Sequence, residues 1–153
     1  MTLGWASITL LAAGIASGAE GPVAIACIGA ATAKSDGGSV RKGALQQQVF
    51  VFDASTETVR RAMMPRQEFE PVCGSEKGLR FVSISPGLVT VSSDDAPDGD
   101  PLWTCTFKAD RMAGTARYIL RGEWKDGRYH EIAWDMQCRK TEVPVFDLAK
   151  RKF

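Results

Sequence analysis

Trp103-Thr104-Cys105-Thr106-Phe107-Lys108 and Ile132-Ala133-Trp134-Asp135-Met136-Gln137-Cys138 decide the fold. In the first stretch Trp103, Cys105 and Phe107 share one face, and the hydroxyls and Lys108 take the other. In the second, Ile132, Trp134, Met136 and Cys138 face one way, and Ala133, Asp135 and Gln137 the other. Successive side chains of an extended chain point to opposite sides, so this period of two marks a half-buried antiparallel strand. Each of these strands carries a cysteine on its core face.

Working outward, further strands are expected. Val49–Phe52 is apolar on both faces and suits a central position. Phe81–Ser85 and Leu88–Ser92 are joined by the turn dipeptide Pro86-Gly87. Thr58–Met63 follows the turn at Ala54-Ser55-Thr56-Glu57. Ala116–Leu120 aligns Ala116, Tyr118 and Leu120. Val23–Ala33, rich in Ala and Gly, suits a first strand around Cys27. Asp126-Gly127 is the best hairpin signal, read as a type I′ turn, which needs positive φ at both central positions. Ala113-Gly114 separates two more strands. Ser35–Ser39 and the acidic stretch Asp94–Asp100 read as loops. No long helical period and no internal repeat occurs. The expected fold is all-β: one antiparallel sheet, sandwich or barrel-like, stapled by two disulfides and preceded by an N-terminal signal segment.

The chain has 153 residues, enough for one domain. Residues 1–19 read as a signal peptide, 20–147 as the β domain and 148–153 as a basic C-terminal tail. From Trp5 to Ala16 the sequence is apolar or small, no charge precedes Glu20, and Ser17-Gly18-Ala19 supplies the small residues that signal peptidase needs. The run is shorter than the ~20 residues of a permanent membrane helix. Lys or Arg near the start, usual in signal peptides, is missing. Two alternatives stand beside cleavage: a retained N-terminal helix, buried or interfacial, and a lipid anchor at Cys27. The anchor is disfavoured by Ala24 at its minus-three position and by Glu20 and Pro22.

Cys27, Cys73, Cys105 and Cys138 all follow the expected cut. An even count in a small exported chain implies two disulfides, each worth ~2–4 kcal/mol. Four cysteines allow three connectivities. The expected pairs are Cys27–Cys138 and Cys73–Cys105, with Cys105–Cys138 competing because both point into one core. No CxxC spacing supports a zinc ribbon or a thiol–disulfide redox site.

Chemistry-bearing patterns are sparse. The Asp94–Asp100 loop offers carboxylates for Ca²⁺, but its register fails: Ala96 and Cys105 stand where an EF-hand needs ligands. His130 is the only histidine, read as an exposed strand-end residue, and no nucleophile elbow accompanies it. Glu123, Glu131 and Asp135 lie on adjacent strands and read as outward charge, although paired carboxylates are what glycoside hydrolysis uses. Gly37–Gly43 lacks Walker spacing. Arg60, Arg61, Arg139 and Lys140 read as surface charge. Trp103, Trp124 and Trp134 read as core, and Trp5 falls in the signal segment. A net charge of +1 gives no pull toward nucleic acid. No catalytic, cofactor-binding or metal-binding residue is nominated, and no cofactor is expected.

The stretch Val49-Phe50-Val51-Phe52-Asp53-Ala54-Ser55-Thr56-Glu57-Thr58-Val59 resembles a recurring Phe-x-Phe-Asp-x-x-Thr-x-Thr-Val element. Val82-Ser83-Ile84-Ser85 fits the same pattern, and Cys105–Thr115 resembles a Cys-x-Ile-Asp-Arg-x-Ser-Gly element. Together, with flanking cysteines like Cys27 and Cys138, they are similar to small exported proteobacterial proteins of uncharacterised function. The resemblance spans most of residues 23–146. The chain departs from it where Lys108-Ala109 precedes Asp110-Arg111 and where Ala113 replaces the usual Ser. What it implies is an antiparallel β domain, with no catalytic or binding residue to carry over.

The leading expectation is a non-catalytic periplasmic or secreted β protein without a permanent membrane span. Three competitors make distinct structural demands. A small apolar-ligand binder needs a barrel cavity lined by residues such as Phe107, Trp134 and Met136. An inhibitor or partner of an envelope protein needs an exposed apolar patch or an uncovered edge strand. A hydrolase needs converging carboxylates or a polarised hydroxyl in a cleft.

Overall fold

The computed structural model describes residues 21–74, 79–94 and 101–146. The expected signal segment 1–19, most of the acidic loop and the expected tail 148–153 lie outside the described residues. Nine strands follow one another: β1 (Val23–Ser35), β2 (Arg41–Asp53), β3 (Thr58–Met63), β4 (Glu68–Pro71), β5 (Leu79–Ile84), β6 (Leu88–Asp94), β7 (Leu102–Asp110), β8 (Thr115–Glu123) and β9 (Tyr129–Thr141). They form one antiparallel sheet in the order β4-β3-β2-β1-β9-β8-β7-β6-β5. The sandwich alternative is thereby excluded; the sheet is a half-barrel.

Its curl follows from one contact. β2 and β7 are separated by three strands, which in a flat sheet would hold them about 19 Å apart. Yet the rings of Phe50 and Phe107 meet at 4.5 Å between centroids. The concave face is the core, with Phe50, Val59, Val89, Val91 and Phe107 fully buried and Tyr118 and Met136 beside them. To this face β1 contributes Ile25 and Cys27, followed along the strand by the small residues Gly29 and Ala31. At Gly29 an added Cβ would collide with the Asp135 carbonyl and come within 2.7 Å of Met136 Cγ, so only glycine lets β9 close over β1 here.

The disulfides are Cys27–Cys138 and Cys73–Cys105. Cys27 and Cys138 are direct partners in the β1–β9 register, with Cα atoms 4.0 Å apart. Cys105–Cys138 does not form. β8 lies between β7 and β9, and two strand spacings, roughly 10 Å, exceed disulfide reach.

Three hairpins share one loop design. Asp53 pairs with Thr58, Met63 with Glu68, and Asp110 with Thr115, each across four residues. The last loop residue has positive φ in every case: Glu57 at 49°, Gln67 at 50° and Gly114 at 66°. Asp53 and Asp110 cap their turns through main-chain NH groups of Ser55, Met112 and Ala113. These aspartates belong to the elements that carried the family resemblance, and their work is turn formation. The Asp126-Gly127 hairpin differs from the expected type I′ turn. Only Gly127 has positive φ, at 84°, and its NH bonds to the Trp124 carbonyl at 2.9 Å. That is a type I turn closed by a glycine in the left-handed region, in a three-residue loop.

The convex face is partly covered too. Ala24, Val51 and Ala62 point away from the core and are buried. The chain leaves β9 at Thr141, opposite Ala24, and within five residues Phe146 reaches Phe69 on β4, 4.7 Å between centroids. Phe69 pairs with Ala62 and so shares its outward direction. Residues 142–146 therefore run as a strap across the outside of β1, β2 and β3. No helix among the described residues is long and apolar enough to cross a membrane.

Candidate functional site

Two places combine exposure with specific chemistry. The first is a pocket of about 330 Å³ at the rim of the half-barrel, between β3–β4 and β7–β8. Arg61 and Glu70 pair across the β3–β4 ladder, and Arg61 lies over the Tyr118 ring at 5.9 Å from its centroid. Trp103, Thr104, Leu120 and the Cys73–Cys105 bridge complete the wall. Gly122 makes room for the Trp103 indole, which stands 3.0 Å from where its Cβ would be. Burial raises the Tyr118 pKa above the ordinary tyrosine value, with the Arg61 charge opposing it.

The charges in this pocket are already satisfied. Glu70 accepts from Arg61 at 3.2 Å and from Arg66 at 2.8 Å, and Arg66 also reaches Glu68 at 3.1 Å. Both Glu70 oxygens are therefore taken up by guanidiniums of the same β3–β4 hairpin.

The second place is an edge inside the sheet. β2 is thirteen residues long, but β3 pairs only with Val49–Asp53 before the chain turns at Met64. Residues Arg41–Gln48 therefore bond to β1 on one side and, among the described residues, to no strand on the other. Eight residues make an edge of about 26 Å. The ladder with β1 slips by one residue between Ala30 and Thr32, where Gly43 and Ala44 sit opposite Ala31. Around the edge, Leu45 is 72% exposed, Met64 59%, Val40 56% and Ile28 50%. A convex-face groove of about 360 Å³, lined by Ile28, Gln47, Gln137 and Arg139, opens beside it. Asp36 fixes the arm by accepting the Tyr129 NH at 2.7 Å.

The other residues raised by the sequence do not assemble a site. Glu123 and Glu131 both clasp Arg121, at 3.3 and 3.5 Å, and Asp135 faces Arg117 at 3.5 Å. These carboxylates form a ladder of ion pairs on the convex face and do not converge on a cleft. His130 is half-buried in the ladder between Ser35 and Gly122 rather than exposed. Of the acidic loop only Asp94 is described, and among the described residues no group of acids, cysteines and histidine could hold a metal.

Phe107 and Met136 belong to the core, Met136 also bordering an open groove of about 310 Å³ with Lys108, Arg117 and Asp135. The two core residues are 0% and 3% exposed and pack into the core cluster, with Trp134 against it, stacked on Tyr118 at 5.3 Å. Trp103, expected in the core, stands at the rim with 40% exposure. Arg61, expected at the surface, turns toward the concave side.

The free edge and Arg61 were both missed in sequence. The signal for the edge would have been the polar run Arg41–Gln48 ahead of an apolar strand. No protein-family model and no curated protein matches the sequence.

Proposed function

We propose that this is a non-catalytic exported binding protein that takes up an extended segment of a partner protein as an added strand along Arg41–Gln48. The observation that carries this reading is the free half of β2: a regular strand whose outer NH and C=O groups face no described neighbour. Unpaired strand edges are templates for pairing, and main-chain bonds to an added strand supply affinity while alternate side chains supply selectivity. The exposed Leu45, Met64 and Ile28 give such a strand apolar surface to cover. Export is supported by two disulfides, which suit an oxidising compartment, and by the signal-like N-terminus.

The test is selection of peptides from a random nine-residue library on the oxidised full chain, followed by amide hydrogen exchange. Selected peptides are expected to slow exchange within residues 41–48 and to lose binding to Gln47→Pro, whose ring removes a donor that points away from β1. Peptides that bind the proline variant equally well and leave residues 41–48 unprotected refute the proposal.

A further inference from the structure

We infer that the strand accepted by this edge carries acidic residues at its C-terminal end and apolar residues before them. The inference rests on the strand-addition reading above and specifies its partner. Lys34, Arg41 and Lys42 lie together at the tip of the β1–β2 arm, and none makes an ion pair with a described residue. Most other arginines are engaged: Arg61, Arg66, Arg117, Arg121 and Arg128 with carboxylates, Arg80 with main-chain carbonyls and Arg60 with the Phe69 ring, while Arg111 and Arg139 make no ion pair with a described residue. The stretch Gly37–Gln48 contains two cations and no acid.

Direction follows from topology. Every strand pair in the sheet is antiparallel. A strand added in the same sense runs against β2, so its C-terminal end lies opposite Arg41 and Lys42. Its earlier residues lie opposite Leu45 and the neutral Gln46-Gln47-Gln48, near Met64 and Ile28. A second copy of this chain is a poorer occupant, because its edge brings two more cations and no carboxylate. Cations on an edge strand reject such self-pairing, and here they also select for opposite charge.

Three fluorescent nine-residue peptides of alternating Val and Thr test this on the oxidised full chain by anisotropy. One ends in Glu-Glu with a free carboxylate, one starts with Glu-Glu and is amidated, and one ends in Lys-Lys. The first is expected to bind about tenfold more tightly than the third, as a few partly exposed ion pairs allow. That preference should disappear in 0.5 M NaCl and in the Arg41→Gln/Lys42→Gln variant, while protection of residues 41–48 by saturating peptide persists. Equal affinity for all three with protection at 41–48 overturns the acidic preference and leaves strand addition standing. Tighter binding of the second peptide overturns the antiparallel direction. Absence of protection by any peptide overturns both proposals. A concentration-dependent dimer in sedimentation that Gln47→Pro abolishes makes the occupant a second copy and also overturns the inference.

Discussion

The guanidinium of Arg80, on the terminal strand β5, donates to the main-chain carbonyls of Val59 and Val72 at 3.3 and 3.0 Å. Val59 lies on β3 and Val72 just beyond β4, so one side chain joins the two ends of the sheet. The Cys73–Cys105 bridge ties the same seam one residue further on. Arg80→Met should lower the unfolding free energy by about 2 kcal/mol, since charge-assisted hydrogen bonds are lost and the Val72 carbonyl gives up a donor. Urea unfolding measures this. Combined with Cys73→Ala/Cys105→Ala, the loss should depart from additivity by at least about 0.5 kcal/mol, as expected for two closures of one seam. Strict additivity would show that they act independently.

The two disulfides should differ in weight. Their sequence separations are 111 and 32 residues. Loop-closure entropy assigns roughly 5 kcal/mol to Cys27–Cys138 and roughly 4 to Cys73–Cys105. Paired Cys→Ala variants, compared by urea unfolding, are expected to rank in that order. Cys27 is also fully buried in the core cluster, with Cys138 packed against it, so their loss adds a packing cost. Peptide mapping of the unreduced protein should recover these two pairs and no Cys105–Cys138 species.

What the sequence reveals depends on how one-sided each strand is. β7 and β9 bury one face, so alternation places Cys105, Phe107, Met136 and Cys138 on the core side without the structure. Arg41–Gln47 is exposed on both faces and leaves no periodic trace, so no strand is expected there from sequence and the expected one begins at Val49. β4 is only four residues long and ends in Pro71. Arg61 reads as surface charge because nothing local announces the curl that turns it toward Tyr118; that curl is set by Gly29 and by Phe50 meeting Phe107 across three strands. The free edge depends on where β3 stops, a fact of pairing rather than of composition.

The shared hairpin design gives opposite expectations at equivalent positions. Glu57 holds φ at 49°, a conformation that costs an L-residue with a Cβ roughly 1–2 kcal/mol. Glu57→Gly removes that cost and gives back about 0.5–1 kcal/mol in chain entropy, so a neutral to modestly stabilising effect is expected. Gly114 already has the favoured residue, and an added Cβ would lie 3.1 Å from the Cys138 carbonyl. Gly114→Ala should therefore destabilise by about 1–2 kcal/mol. Thermal unfolding of both variants checks the contrast, and equal losses would refute a common loop conformation.

Tyr118 makes the fold sensitive to alkali. Burial favours the neutral phenol and raises its pKa, and the neighbouring Arg61 only partly offsets this. The folded-state value thus lies above the unfolded one. The stabilisation is complete below the unfolded pKa, about 10, and is lost as pH rises through the folded value. Tyr118→Phe keeps the ring that meets Phe50, Phe107 and Trp134 and removes the ionising group. Urea unfolding between about pH 8 and 11.5 should show wild-type stability falling more steeply above pH 10 than that of the variant. The chain has two tyrosines, so absorbance at 295 nm offers a direct check. The variant is expected to lose the ionisation step that lies above the ordinary tyrosine range. Parallel stability curves for the two proteins would mean that the Tyr118 hydroxyl meets solvent and that the rim pocket is wider than its walls indicate.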